Sequence, residues 1–141
     1  MKAIAPVTRV LLGLIFSGFG LNGLLQIVPP PTAQGAAAVF MGGLTASRYF
    51  FPLLFITYLF AGAALLVGRF VPLALTVLAP IIVNILVLHL FVPSSKAEMC
   101  LAVLVTVLEM YLAWCYRAAF QPLLRARYDV VNGSRPLGGF Q

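Results

Sequence analysis

The sequence predicts an all-α, polytopic membrane protein: a four-transmembrane-helix bundle with both termini on the cytoplasmic side. Of its 141 residues, 62% are hydrophobic and only 9% are charged, whereas a soluble domain carries about 25% charged residues. The mean hydropathy is +1.07, and four apolar runs approach the ~20 residues that cross a bilayer. So few charges cannot cover a water-facing surface, and we expect the lipid bilayer to be the solvent of this chain.

The predicted spans are bounded by helix-ending residues. The first stops at Pro29 and the second at Gly68, while Pro80 lies inside the third. A proline at that position is expected to kink the helix and to leave the carbonyl of Thr76 without its usual donor. The spans run from about residue 7 to 28, 49 to 67, 70 to 92 and 97 to 116, within a membrane domain of residues 1–120.

Two segments lie outside the spans. The stretch 32–47 is too short to cross and rich in small residues, which predicts an interfacial or partly re-entrant segment on the outer face. The basic tail, residues 121–141, fits either an amphipathic stub on the anionic inner leaflet or a solvated end.

The basic residues predict the orientation. Four spans place both termini and the short loop after the second span on one side of the membrane. The other side holds only Arg48 and Lys96. Since Lys and Arg concentrate in cytoplasmic segments, the termini should face the cytoplasm, and the net charge of +6 need not indicate nucleic-acid binding. The cytoplasmic set is Lys2, Arg9, Arg69, Arg117, Arg125, Arg127 and Arg135.

A glycine motif in the first span resembles a dinucleotide-binding fingerprint. Residues 18–23 read GFGLNG, but that fingerprint needs a preceding strand and an acid about 20 residues later, and the first acid here is Glu98. No NAD or FAD site is therefore predicted from Gly18, Gly20 and Gly23. Gly13, Ser17 and Gly20 recur at helical spacing instead, which predicts a close helix–helix contact.

Metal and nucleophile sites are not predicted. The chain has one histidine without closely spaced Cys or Glu, so it offers no tetrahedral ligand set. Cys100 and Cys115 lie 15 residues apart on one predicted helix, roughly 22 Å, which is too far for a disulfide.

Polar side chains inside the spans are the candidate functional residues, because burying them in a membrane costs free energy. From the outer end, at ~1.5 Å per residue, Asn22, Asn84 and Tyr58 lie roughly 9 to 13 Å deep. His89 lies roughly 5 Å deep and Glu109 roughly 18 Å deep. This predicts a polar pocket in the outer half of the bundle, able to receive a quinone head group or to relay a proton.

Structural roles explain the same residues. The two asparagines fit interhelical hydrogen bonds, each worth about 0.6 kcal/mol, and His89 fits a residue reaching toward the interface. Glu109 is the strongest functional candidate, since a carboxyl group at its depth needs a partner or a bound proton. A protonated Glu109 bonded to a neighbouring carbonyl is the structural alternative.

Several stretches carry a family resemblance. They read FGLNG, GRFVPLAL, APIIVNI and EMYLAWCYR, and with their surroundings, about residues 9–124, the chain resembles the DoxX family of small bacterial membrane proteins. The resemblance implies a four-helix membrane bundle in the bacterial inner membrane. Relatives are associated with a thiosulfate:quinone oxidoreductase, with terminal quinol oxidases and with complexes that handle oxidative stress.

One departure from the family pattern bears on activity. Relatives often read KVVEVLAG where this chain has FITYLFAG, so Phe55 replaces the family's Lys and Tyr58 its Glu. The loss of an acid and a cation favours an accessory, non-catalytic subunit of a larger respiratory or photosynthetic complex. The alternative is a quinone-linked redox subunit with Glu109, His89 and Asn84 at its site. The ligand predicted for this chain is a quinone or a lipid.

Overall fold

A computed structural model describes residues 4–29, 34–92 and 95–121. Every regular element in this part of the chain is a helix, and four of the helices are long and apolar enough to cross a membrane. In chain order the helices are α1 (Ile4–Leu25), α2 (Ala36–Ala46), α3 (Phe50–Val67), α4 (Val71–Phe91), α5 (Lys96–Cys115) and α6 (Arg117–Phe120). The four-helix fold class is confirmed, with α1, α3, α4 and α5 as its spans.

The spans begin and end where local chemistry allows. α3 ends at Gly68, whose φ of 76° suits glycine, and the Gly68 amide donates to the carbonyl of Ala64 at 3.0 Å. α5 begins with a capping box, in which Ser95 and Glu98 bond to each other's backbone amides at 3.2 and 2.8 Å. α4 continues through Pro80 from Val71 to Phe91. The predicted span limits therefore fall within three residues of the observed ones.

The four long helices pack as a closed ring in the order α1, α3, α4, α5 and back to α1. Their inward faces supply one hydrophobic core. The most completely buried side chains of that core are Leu12, Phe16, Leu65, Leu75, Leu78, Ile82 and Leu112. Since every span contributes to it, the bundle is a single packing unit.

The most extensive contact in the ring is between α1 and α3, and small residues form it. A Cβ added to Gly13 would lie 3.0 Å from the carbonyl oxygen of Gly62, and one added to Gly20 would lie 2.8 Å from that of Phe55. Ser17 packs against Gly62 between them. We call Gly13, Ser17, Gly20 and Gly62 the α1–α3 seam; it confirms the helix-packing role predicted for the first three.

Candidate functional site

The five polar residues predicted to share a pocket differ widely in burial. Tyr58 and Glu109 are buried, each 7% exposed. Asn22 and His89 are half-buried, whereas Asn84 is exposed on the outside of the bundle. Similar depth therefore does not give these side chains a common environment.

Asn22 closes the outer end of α1. Its amide nitrogen donates to the carbonyl of Val28 at 3.2 Å, and its side-chain oxygen accepts from the Val28 amide at 2.7 Å. Both ends of the carboxamide are thus used within a turn of seven residues. The arrangement stabilises the chain as it leaves the helix, where Gln26 takes a positive φ of 52°.

Tyr58 belongs to an aromatic cluster between α1 and α3. Its ring meets Phe16 edge-on at 5.1 Å between centroids and lies 6.4 Å from Phe55, which in turn stacks on Phe51 at 5.8 Å. Phe55 and Tyr58 are the two positions at which the resemblance implies a cation and an acid. In this chain both positions are filled by aromatic packing.

His89 lies near the outer end of α4, where its Nδ1 is 2.7 Å from the carbonyl oxygen of Ile85. An open groove of about 570 Å³ adjoins it between the ends of α4 and α5. Polar and sulfur-bearing residues on the groove wall are Ser95, Lys96, Met99 and Cys100, in addition to His89. His89 therefore lies beside this groove near the end of α4 and not at the centre of the bundle.

Glu109 points into the bundle from α5. It shares the buried face of that helix with Ala102, Val105 and Leu112, one or two turns away. Its Oε1 is buried and has no hydrogen-bond partner among the described residues. A buried, unsatisfied carboxyl oxygen is expensive in a low-dielectric interior, and among the five candidates this is the one whose environment calls for a ligand or a proton.

Asn84 faces away from the core. Leu78 and Ile82, on the other side of α4, are buried, while Asn84 lies among exposed apolar residues. We call this exposed side the α4 outward face: Leu73, Thr76, Val77, Pro80, Val83, Asn84, Val87 and Leu90. It carries no charged residue, and its only hydroxyl, on Thr76, donates back to the carbonyl of Pro72 at 2.8 Å.

Arg9 does more than the sequence indicated. Counted there only as a topology signal, it lies inside α1, half-buried, with its guanidinium against Gly68 at the end of α3. Its Nε is buried without a hydrogen-bond partner in the described residues. A cation is favourable beside the C-terminus of a helix, so Arg9 links the inner ends of α1 and α3. The signal available in the sequence was its position within the first apolar span.

Two other basic residues predicted to be cytoplasmic, Arg69 and Arg117, are described by the structure, and both are exposed. The Arg117 guanidinium lies 5.1 Å from the ring centroid of Trp114 and donates to the Trp114 carbonyl at 3.1 Å. Arg125 and Arg127 lie outside the described residues, as does the tail after Gln121.

The stretch predicted to be interfacial or re-entrant contains a helix, α2. It is 11 residues long and has no buried residue, and its contacts with the bundle are to α3. Val39 is 78% and Phe40 44% exposed. Sequence reasoning identified the segment as apolar and too short to span but did not predict its helical form.

Metal-ligating residues are scattered in the described parts of the chain. No group of three or more His, Cys, Asp or Glu side chains within residues 4–29, 34–92 and 95–121 is placed to hold an ion. Cys100 and Cys115 are both exposed, free thiols.

Comparison with known proteins gives no match: neither a family model nor a curated protein nor a solved structure is significantly similar to the chain.

Proposed function

We propose that this chain is an integral accessory subunit of a larger bacterial membrane complex, whose assembly it stabilises. The observation that carries the proposal is α2, an apolar helix of 11 residues that contacts α3 but has no buried residue within the part of the chain that the structure describes. A helix that is apolar on all sides is normally buried. The surface that buries α2 is, in this proposal, another subunit.

Three features of α2 favour a protein surface over lipid. At ~1.5 Å per residue the helix is only about 16 Å long, about half of a bilayer core. Its sequence, AAAVFMGGLTA, has no charged side chain, whereas helices that lie in the membrane interface usually have a charged face. Its first turn receives no side-chain cap, since Gly35 has no side-chain oxygen, although the Gly35 carbonyl accepts from the amides of Ala38 and Val39 at 3.1 and 3.3 Å. A neighbouring protein can supply acceptors there and hydrocarbon cannot.

The packing of the bundle supports a structural role. Most polar groups in its spans are satisfied locally: Thr57 and Thr106 donate to carbonyls one turn earlier at 2.8 and 2.7 Å, and Asn22 bonds to Val28. These polar groups therefore stabilise the fold through hydrogen bonds within the chain. The resemblance described above suggests a bacterial inner membrane and a respiratory or photosynthetic complex as the setting.

A paired substitution tests the role of α2. The chain is purified from its native membrane in mild detergent and analysed by native mass spectrometry. The proposal expects the wild-type chain to be found in a stoichiometric complex. In the Val39→Ala/Phe40→Ala variant the fraction of the chain found in that complex should fall at least tenfold. The matched control, Val107→Ala/Met110→Ala, truncates exposed side chains of α5 (57% and 69% exposed) and should keep the complex. A wild-type chain that purifies alone, or a complex equally retained by both variants, contradicts the proposal.

A second candidate function, a quinone-linked redox subunit, is favoured by Glu109 alone. A quinol hydroxyl is a suitable donor for its unsatisfied Oε1, and the carboxylate is a suitable acceptor for the proton released on oxidation. Asn84, on the outside of the bundle, and His89, near its outer end, do not share that site. The candidate site is therefore reduced to Glu109 and its apolar neighbours Val105 and Leu112.

Glu109→Gln separates this function from the first. If the protein is a quinone-linked enzyme, the substitution abolishes quinone-dependent turnover, while the control Glu98→Gln, at the start of the same helix, leaves it intact. Turnover unchanged by Glu109→Gln rejects the redox function and leaves the accessory function standing.

A further inference from the structure

The α4 outward face carries an unusual group for a surface in contact with lipid. Asn84 lies seven residues from Phe91 at the outer end of α4, which places its carboxamide roughly 10 Å into the membrane. The side chain is exposed, and no hydrogen bond to it is present within the described residues. Lipid chains offer neither a donor nor an acceptor, so a polar group there needs a partner from another protein chain.

We propose that the partner is a second copy of this chain, docked face to face through the α4 outward face with the two Asn84 side chains paired across a two-fold axis. This face is separate from α2, so the proposal goes beyond the accessory role described above. It assigns a homodimer interface to the α4 outward face, whose residues take no part in the accessory role argued from α2.

Depth is the first argument for a second copy. Any partner must present a hydrogen-bonding group at the same height in the bilayer as Asn84. Copies of one chain insert with the same orientation, because the distribution of their basic residues is the same. Two Asn84 side chains therefore always lie at equal depth, whereas an unrelated helix meets this condition only by coincidence.

The chemistry of the side chain is the second argument. A carboxamide carries both donors and an acceptor, so it is complementary to itself. Across a two-fold axis each Nδ2 donates to the opposite Oδ1, which gives two equivalent hydrogen bonds. Two-fold interfaces require this kind of self-complementarity.

The residues around Asn84 are the third argument. Pro80, Val83 and Val87 are exposed, compact side chains one turn or less away, and the face has no charge that repels its own copy. Pro80 also has no N–H to donate to the carbonyl of Thr76. The two-fold contact thus combines uncharged packing with a central polar pair.

Disulfide trapping in native membranes tests the pairing. Val87 lies one turn from Asn84 on the α4 outward face, so the test protein is full-length Val87→Cys with Cys100→Ser and Cys115→Ser. The control carries only Cys115→Ser. Its remaining thiol, Cys100, is exposed on α5 and lies four residues from the outer end of its helix, as Val87 does. Both proteins are treated with copper phenanthroline.

The proposal expects a product of twice the chain mass from Val87→Cys and little from the Cys100 control. Adding Asn84→Leu to the Val87→Cys protein should lower the cross-linked fraction about fivefold or more, the effect of losing two interhelical hydrogen bonds. Three results overturn the proposal: no homodimer from Val87→Cys, equal trapping at both positions, or trapping insensitive to Asn84→Leu. A cross-linked product that contains a different protein also overturns it, because the face then belongs to another subunit.

Discussion

The α1–α3 seam and the α4 outward face belong to the same bundle, yet they differ in the size of the side chains that they present to a neighbouring helix. At the seam the side chains are reduced to hydrogen or a hydroxymethyl group, and the backbones of two helices meet. The α4 outward face instead presents branched side chains and one carboxamide to its surroundings. The seam is formed within one chain, whereas the α4 outward face is exposed in the described chain and, in our proposal, packs against a second copy.

The two asparagines express the same difference. Asn22, on α1, satisfies both ends of its carboxamide on Val28. Asn84, at a similar depth on α4, has no partner within the described chain and is exposed. The same side chain thus serves folding in one helix and, in our account, association in the other.

The largest effect is expected from filling the α1–α3 seam. In Gly20→Leu the new Cβ would lie 2.8 Å from the carbonyl oxygen of Phe55, a backbone atom that cannot move aside without separating the helices. We expect a loss of about 3 kcal/mol in the free energy of unfolding, or a failure to fold, measured by titration with SDS.

Gly18→Leu is the matched control for the seam. Gly18 lies on the same helix, and a Cβ added to it meets nothing within 4 Å. Its unfolding free energy should remain within about 0.5 kcal/mol of the wild type. Equal destabilisation by Gly18→Leu and Gly20→Leu would mean that glycine matters here for helix conformation and not for close packing.

The next effect is a gain in stability. Replacing Glu109 by Leu removes a buried oxygen that has no hydrogen-bond partner among the described residues and keeps a side chain of similar size. We expect the free energy of unfolding to rise by about 1–3 kcal/mol, measured by the same titration. A loss of stability would show that the carboxyl group is bonded in the membrane and contributes to the fold.

A smaller loss is expected from Asn22→Ala. The substitution removes the two hydrogen bonds to Val28 that close α1, and the net contribution of such hydrogen bonds is about 1 kcal/mol. Hydrogen exchange at the Val28 amide is the local measurement, and it should accelerate while exchange in α4 stays unchanged. Unaltered protection of Val28 would contradict the assigned role.

The smallest effect on folding is expected from Asn84→Leu. Because Asn84 is exposed and bonds to nothing in the described chain, the unfolding free energy of the monomer should change by less than about 0.5 kcal/mol. If Asn84→Leu destabilises the monomer as much as Asn22→Ala does, Asn84 contributes to folding, and the different roles assigned to the two asparagines are wrong.

The position of each residue along its span was predictable from the sequence, but the direction of its side chain was not. The four spans follow from apolar runs and from the prolines and glycines that end them, and the observed limits agree within three residues. The rise per residue gives the depth of Asn22, Tyr58 and Asn84, which placed them in one layer. Helices that are apolar on every side carry no periodicity to show which side faces the core, so the exposed position of Asn84 was hidden.

The contact of Arg9 with Gly68 depends on how the helices pack and could not be predicted from the sequence. The guanidinium of Arg9 lies against Gly68 because α1 and α3 approach closely at the seam, and that approach is a property of the assembled bundle. The seam itself was recognisable, since Gly13, Ser17 and Gly20 recur at the helical period. Small residues are therefore more informative than polar residues about which sides of these helices meet.

In our proposal this chain is a subunit with a packed interior and with outer surfaces that bind other proteins. Native mass spectrometry of the wild-type chain, extracted from its own membrane in mild detergent, is the experiment that tests this proposal. We predict that the chain is found in a defined, stoichiometric assembly with a larger membrane complex. A stable, monodisperse monomer with no bound protein would contradict the account, and bound quinone on such a monomer would direct attention to Glu109 instead.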